Sequence, residues 1–210
     1  MKKILLQLLV LLLMVGTAGA WYFLRHDHTA GHSNSVASKS LAWRKKLDSK
    51  GVQAEQWIRK NQYNPSYCFL VDMSMESGQN RFFVYSLEGD SILAQGLVTH
   101  GRCNENWLEG RKYDNRIGCG CTSLGHYKIG GKYTGRFGTA FKLHGLDSTN
   151  SNAYARYVVL HSHECVPEAA VHPAPICQSD GCPTVSPQFL LQLEKYISKS
   201  KQPVLLWMYE

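Results

Sequence analysis

QSDGCPTVSP, residues 178–187, is the most informative segment of this chain. Gly181 gives the backbone access to a turn that other residues avoid, and Pro183 stiffens the chain just after it. Cys182 is therefore expected on a tight elbow and not inside a regular helix or strand. A cysteine held in this way is accessible to a reacting group, so the segment predicts a functional thiol.

A histidine lies upstream of the elbow, at the end of a strand-like run. His161 follows the apolar residues 157–160. An imidazole at a strand end and a thiol on an elbow are the two groups that a cysteine nucleophile needs, because the imidazole takes the thiol proton and the thiolate then attacks a carbonyl. His163 would share the same strand face and is an alternative base. We predict Cys182 as nucleophile and His161 as the preferred base.

The elements around this pair indicate a mainly β domain. Ser186 and Pro187 are typical of a helix N-terminus, and apolar residues from 189 to 197 would form one buried face. Short runs of β-branched and aromatic residues predict strands at 68–73, 81–86, 91–99, 156–160 and 203–207. Glycines in residues 118–138 suit turns and bulges in a bent sheet. A mainly helical pattern in 41–61, broken near Ser49–Gly51, predicts a two-piece helical entry.

Several separated motifs occur in order over residues 68–210: Val71-Asp72-x-Ser74, Leu124-Gly125-x-Tyr127, Gly138, Leu143-x-Gly145-Leu146, Asn152-Ala153-x-Ala155-Arg156, His161 and Ser179-x-Gly181-Cys182-Pro183. Together they resemble the murein L,D-transpeptidase catalytic-domain family. The resemblance implies an exported, β-rich domain whose cysteine attacks a peptidoglycan stem peptide at the L-centre of diaminopimelate. It also implies that the terminal D-Ala is released and that the acyl group passes to the amine of a neighbouring stem.

The resemblance assigns roles to individual residues. Cys182 becomes the nucleophile and His161 its base, while Ser179 and Gly181 shape the elbow. Backbone N–H groups around Gly181 and Cys182 are expected to bind the oxyanion, since Pro183 has no N–H to donate.

Arg156, which matches a family position, is the best candidate for substrate contact, and His163 and Tyr127 are further candidates. Three positions depart from the common pattern: Asp180 stands where the family often has His, Thr184 where it often has Arg, and Ser162 where Gly commonly follows the histidine. The absence of that arginine leaves open how a substrate carboxylate is held. We expect Asp180 to face solvent or a cation, because a carboxylate turned toward the thiol would oppose its ionisation.

The fold class that follows is mainly β within the α+β class: an L,D-transpeptidase-like bent β-sandwich or barrel with an N-terminal helical segment and one helix after Cys182. Four parts are predicted along the chain: residues 1–24 as a signal peptide or membrane anchor, 25–40 as a linker, 41–67 as the helical segment and 68–210 as the catalytic domain. Lys2 and Lys3 precede an apolar run, residues 4–24, which suits either cleavage after export or retention in the inner membrane. Both outcomes put the domain in the periplasm or cell envelope.

Seven cysteines in 210 residues fit an oxidising compartment. The odd number leaves one thiol over, which we expect to be Cys182, with the other six available for structural bridges. A bridge between Cys165 and Cys177 is predicted, since the two flank a proline-rich loop. Cys119 and Cys121 are too close to pair with each other and are expected to have separate partners.

Other functions are weighed against this one. The His and Cys residues of 161–182 lack the spacing of a zinc site, so no metal or other cofactor is expected. The net charge of +7 contains no dense basic block, and no nucleic acid is expected as a partner. The predicted partner is the peptidoglycan stem peptide. Two alternatives remain. The first is a hydrolytic L,D-carboxypeptidase or wall-protein-releasing enzyme of the same fold, and the second is a non-catalytic, disulfide-stapled wall-binding module.

Overall fold

The computed structural model describes Thr17, Trp21 and residues 41–210. The predicted signal or anchor and the linker therefore lie outside the described residues, apart from those two positions. The chain divides into a unit of Met1–Lys46 and a larger unit of Leu47–Glu210. No helix among the described residues is both long enough and apolar enough to cross a membrane.

The larger unit contains a mixed sheet of eight strands in the described part of the chain. The strands are β1 (Tyr67–Asp72), β2 (Phe82–Ser86), β3 (Ser91–Gly96), β4 (Gly125–Gly135), β5 (Gly138–Gly145), β6 (Val159–Ser162), β7 (Thr184–Val185) and β8 (Leu205–Tyr209). Their order across the sheet is β3-β2-β1-β8-β4-β5-β6-β7. The pairs β1–β8 and β6–β7 are parallel and the others are antiparallel. With helix α1, which includes residues 47–61, and helix α2 (Pro187–Lys199), this architecture confirms the predicted α+β class.

Helix α2 begins as its sequence predicts. The Ser186 hydroxyl caps it by accepting a hydrogen bond from Phe189 N–H, and Pro187 occupies the first turn. Phe189, Leu190 and Leu193 are buried against the sheet. Each such side chain contributes about 1.5–3 kcal/mol by burial. Because β7 leads directly into this cap, the packing of α2 also fixes the chain that leaves the Cys182 elbow.

The predicted break in the first helix is wrong. Residues 49–51 are helical, and Gly51 is accommodated by a close contact and not by a turn. A Cβ at Gly51 would lie 2.4 Å from Cε1 of Tyr85, whose hydroxyl donates to Asp48 at 3.1 Å. The glycine lets α1 approach β2 closely enough to bury the Tyr85 ring. Its cost in helix propensity is about 1 kcal/mol, which this packing offsets.

Two strand boundaries differ from the sequence prediction near the elbow. The run predicted at 156–160 enters its strand only at Val159, because Tyr157 has a positive φ of 57° and ends a turn. The run predicted at 91–99 ends its strand at Gly96. Thr99 N–H instead donates to Thr184 O at 2.9 Å, so the chain leaves β2 and joins the segment around Cys182. Both changes arise from long-range contacts that place chain beside the elbow.

Candidate active site

The elbow is held by its own side-chain hydrogen bonds. Gly181 has a φ of +109°, and a Cβ there would lie 2.6 Å from Cys121 O, so both conformation and space require glycine. Ser179 Oγ accepts from Gly181 N–H at 3.2 Å and donates to Cys182 O at 2.7 Å. These contacts close the turn that presents Cys182.

A neighbouring segment, residues 98–102, braces the elbow on both sides of the thiol. His100 O accepts from Ser179 N–H at 2.9 Å before the turn. Thr99 Oγ1 donates to Cys182 O at 3.2 Å and accepts from Thr184 N–H at 3.1 Å after it. The position of Cys182 is therefore fixed by backbone contacts at both ends of the elbow.

Cys182 and His161 line one cavity of about 450 Å³, which we call the active-site cavity; its walls also include Trp107, Phe137, His163, Gln178 and Thr184. Cys182 Sγ accepts from Val159 N–H at 3.5 Å and donates to Tyr157 O at 3.7 Å. These are the hydrogen bonds of this thiol within residues 41–210, and neither involves His161. The two groups share the cavity in the resting state without a direct hydrogen bond.

His161 is buried, and the contacts of its two nitrogens define its tautomer. Nδ1 lies 3.0 Å from Ser162 O, which can only accept, so Nδ1 carries the hydrogen. Nε2 is then the free base and accepts from Thr184 Oγ1 at 3.0 Å. The Phe137 ring stacks on the imidazole with centroids 5.1 Å apart. This arrangement presents an unprotonated nitrogen, which is the form that can accept a thiol proton.

His163 lies on the same wall but in a different environment. It is exposed, and its Nδ1 accepts from Cys165 N–H at 3.1 Å. The Phe137 ring contacts both histidines: it stacks on His161 and makes an edge contact with His163. The burial and fixed tautomer of His161 favour it over His163 as base.

The electrostatic environment keeps the resting pair neutral. Burial raises the pKa of the Cys182 thiol; Val159 N–H and Arg156 partly oppose this shift, and Asp180 adds to it. Burial also lowers the pKa of His161, with the Ser162 carbonyl opposing and His163 adding to the shift. Asp180 is mostly exposed and pairs with Arg102 at 2.7 Å, facing solvent and a cation as the sequence predicts. At neutral pH the site therefore holds a thiol beside a neutral imidazole.

This environment predicts that the Cys182 thiol ionises at a higher pH than a free cysteine. In a Cys119→Ser background, the rate constant for alkylation of Cys182 by iodoacetamide should rise with pH and reach its midpoint above that of a free cysteine, about 8.5. Asp180→Asn should move the midpoint down, since its carboxylate disfavours the thiolate. A midpoint at or below that of free cysteine would show that the thiol is activated in the resting protein.

Arg156 and Tyr127 do not line the active-site cavity. The Arg156 guanidinium donates to Asp114 O at 2.9 Å and to Cys121 O, on the segment against which Gly181 packs. Tyr127 is fully buried in the core, and its hydroxyl contacts Ser123. The structure thus gives Arg156 a supporting position behind the elbow and Tyr127 a place in the core, not the substrate contact expected of them.

Donors for an oxyanion are fewer than the sequence suggests. Gly181 N–H is already bonded to Ser179 Oγ. Cys182 N–H has no acceptor in the described part of the chain, and Pro183 has no N–H. Cys182 N–H is therefore the available donor at the elbow itself.

The cysteines pair in part as expected. Disulfides join Cys165 to Cys177, the predicted pair, and Cys103 to Cys121. Cys68, Cys119 and Cys182 are free, so the expectation that six cysteines are available for bridges is wrong. Cys68 is enclosed within β1, and Cys119 Sγ contacts Asp114 O instead of another sulfur. The Cys165–Cys177 bridge lines the active-site cavity and fixes one of its walls.

Three site residues were not singled out from the sequence. Thr184 lies opposite His161 in the parallel pair β6–β7 and reaches its Nε2. Phe137 covers the imidazole from the tip of the β4–β5 hairpin. Thr99 reaches the elbow from the segment after β3. Only the departure at Thr184 from the common family pattern was a sequence signal, and it gave no indication of a histidine contact.

Thr184 is expected to position the base. Thr184→Val removes the hydroxyl at nearly constant volume and should lower kcat by roughly 10–100-fold with little change in KM, because a loosened imidazole loses its reactive geometry. Thr184→Ser keeps the hydroxyl and should retain most of the wild-type kcat. Steady-state kinetics of the two variants test this; equal losses would point to packing instead of the hydrogen bond.

The chain is similar to one protein family and to several solved structures. The L,D-transpeptidase catalytic domain family matches residues 39–209. Similar solved structures include a mutant of the helical cell shape determining protein Pgp2 from Campylobacter jejuni, 12% identical with a TM-score of 0.46, the alignment covering 69% of this chain and 47% of that one. An L,D-transpeptidase from Xylanimonas cellulosilytica is 13% identical with a TM-score of 0.36, covering 73% and 68%. One from Mycobacterium smegmatis is 13% identical with a TM-score of 0.39, covering 69% and 59%.

The matches differ in extent. The chain spans about half the length of the Campylobacter jejuni protein. The comparison with curated proteins gave no significant match. The family match, which covers most of this chain, is therefore the finding that bears on its identity.

Proposed function

Since the chain belongs to the L,D-transpeptidase catalytic-domain family, we propose that it is a cysteine acyl-transferase acting on peptidoglycan stem peptides through a thioester at Cys182. The proposal depends on one observation: the Cys182 thiol on its elbow and the unprotonated Nε2 of His161 lie in the same cavity. Arrangements of this kind split a difficult acyl transfer into two easier steps.

The first step forms the thioester. His161 Nε2 takes the thiol proton, and the sulfur attacks the carbonyl at the L-centre of diaminopimelate. Cys182 N–H stabilises the oxyanion that develops on the carbonyl oxygen. When the tetrahedral intermediate collapses, the C–N bond breaks and His161 returns its proton to the departing amine of D-Ala.

The second step transfers the acyl group. The amine of a neighbouring stem attacks the thioester carbonyl, His161 takes a proton from that amine, and the C–S bond breaks. The proton then returns to the sulfur, which restores the thiol and neutral imidazole. If water attacks instead, the product is a free acid, so the second nucleophile determines whether the protein is a transferase or a hydrolase.

The walls of the cavity suit a reaction that must limit water. Phe137 and Trp107 are 48% and 45% exposed although both are large and apolar, and both line the cavity that contains the thiol. A bound peptide would cover these rings and displace water from Cys182. Exclusion of water strengthens the interactions at the developing charge and favours the amine over hydrolysis.

Two disulfides among the described residues support an exported location, because such bridges persist in oxidising compartments. The proposed compartment is the periplasm or cell envelope, with residues 4–24 serving either as a cleaved signal or as an inner-membrane anchor.

Product analysis on a defined stem tetrapeptide tests the proposal. With tetrapeptide alone the protein should release D-Ala and form a cross-linked dimer, and Cys182→Ala should form neither product. Release of D-Ala with only tripeptide acid would favour the L,D-carboxypeptidase. No turnover of any stem peptide, together with retained binding, would favour a non-catalytic wall-binding module.

A further inference from the structure

A second cavity adjoins the active-site cavity and shares Trp107 and Gln178 with it. Its volume is about 220 Å³, and its walls include Arg81, Arg111 and His100, so we call it the arginine cavity. None of these three side chains takes part in the acyl transfer described above. Two arginines and a histidine therefore lie in a cavity next to the active-site cavity without a role in that reaction.

Arg81 is a fully buried cation. Its Nε and Nη2 donate to Val98 O at 3.0 and 2.8 Å, and its Nη1 donates to Met75 O at 3.1 Å. No carboxylate oxygen lies within 4 Å of the guanidinium among the residues that the structure describes. Its direct partners are two carbonyl oxygens and a ring nitrogen of His100, and the carboxylates of Asp72 and Glu76 act on it only from a distance, so a nearby anion would stabilise it further.

Arg111 adds a second positive charge at the mouth of this cavity. Its Nη1 donates to Met73 O and Met75 O, both at 2.6 Å, and its side chain is 20% exposed. The carboxylates that line the cavity are Glu76 and Glu109. Glu76 lies 3.6 Å from Arg111 but is 65% exposed, and Glu109 is also exposed. Both acids are solvated, so the interior of the cavity keeps a positive potential.

His100 and Gln178 contribute donors that face each other. His100 Nδ1 accepts from Arg81 Nη2 at 3.1 Å, so its Nε2 carries the hydrogen. The Gln178 amide is oriented by Leu108, accepting from its N–H and donating to its O, both at 2.8 Å. Gln178 Nε2 then lies 3.3 Å from His100 Nε2, and with this tautomer both nitrogens are hydrogen-bond donors. The Gly110 carbonyl acts as an acceptor for His100 and Leu108 O accepts one hydrogen of the Gln178 amide, so the second amide hydrogen of Gln178 is the donor left for a ligand oxygen.

Backbone connections tie this cavity to the elbow. Gln178 immediately precedes Ser179, and His100 O accepts from Ser179 N–H. Arg81 holds Val98 O, directly before Thr99, which bonds to Cys182 O. A group bound against Arg111 in the arginine cavity would therefore be connected to the Cys182 elbow through these hydrogen bonds.

We propose that the arginine cavity is a carboxylate subsite that anchors an acidic group of the stem peptide during acyl transfer. This inference rests on the proposed function for the identity of the peptide. A carboxylate fits because guanidinium groups recognise it strongly and because the cavity of about 220 Å³ has room for a group of that size. The free carboxylates of D-Ala and of the diaminopimelate D-centre are the two sources of this chemistry.

The test measures peptide binding by calorimetry in Cys182→Ala protein, where no turnover occurs. Three ligands are compared: the stem tetrapeptide, its D-Ala amide and its diaminopimelate D-centre amide. One amide should bind at least about tenfold more weakly than the tetrapeptide, and adding Arg111→Gln should remove most of that difference. Arg111→Lys should keep part of it, and Arg59→Gln, the same change on α1, should keep all of it.

The amide that loses affinity identifies the anchored carboxylate. Equal binding of all three peptides, or an unchanged preference in Arg111→Gln, would overturn the subsite. Since these titrations use inactive protein, a wild type that binds with this preference but does not turn over peptide would count against the proposed function and not against the subsite.

Discussion

Cys182→Ser is expected to lower kcat by about 10³-fold or more while leaving the melting temperature nearly unchanged. A serine hydroxyl has a far higher pKa than a thiol, and a single neutral imidazole cannot ionise it to a useful extent. The fold should tolerate the change because Cys182 Sγ makes only two long hydrogen bonds, to Val159 N–H and Tyr157 O. Steady-state kinetics with thermal unfolding of the same sample measure both effects.

Cys119→Ser is the matched control for this variant. Cys119 is also a free cysteine, but it does not line the active-site cavity. It should keep wild-type kinetics. A Cys182→Ser protein with near wild-type kcat would show that the acyl group is never carried by this sulfur.

His161→Gln should lower kcat by about 10²–10⁴-fold, the usual contribution of a general base. Glutamine can still donate to Ser162 O and contact Thr184, so the local structure should persist while proton transfer is lost. His163→Gln makes the same change on the same wall, at an exposed ring that does not contact Thr184. Its kcat should fall by less than about threefold, and a larger loss in His163→Gln than in His161→Gln would reassign the base.

The elbow and the helix after it were predictable because their determinants are local. A positive φ at Gly181 and a serine cap at Ser186 are properties of a few consecutive residues. Their chemistry is the same in any fold that contains them. The α+β class followed from the strand-like and helix-like runs of residues and from the resemblance of several motifs to a known family.

Contacts between distant segments were not predictable in the same way. The hydroxyl of Thr184 reaches His161 only because β6 and β7 pair in parallel at that register. Phe137 covers the imidazole because the β4–β5 hairpin extends far enough to reach β6. A single sequence contains no information on either register, so the partners of His161, the proposed base, had to come from the structure.

Motif matching also fails to indicate which way a side chain faces. Tyr127 belongs to a family motif, yet it points into the core, and Arg156 supports the Cys121 backbone. Conversely, Gly51 looked like a helix break although it serves close packing against Tyr85. The cysteine count suggested up to three bridges, whereas burial of Cys68 in β1 removes it from pairing.

Intact mass after treatment with a carbapenem, followed by peptide mapping, tests directly whether Cys182 carries an acyl group. A thiolate that forms acyl thioesters should open the β-lactam ring and retain the whole drug as a covalent adduct. We expect one adduct per chain, on the peptide that contains Cys182, and none in Cys182→Ser. An unmodified wild type, or an adduct on Cys119 instead of Cys182, would contradict it.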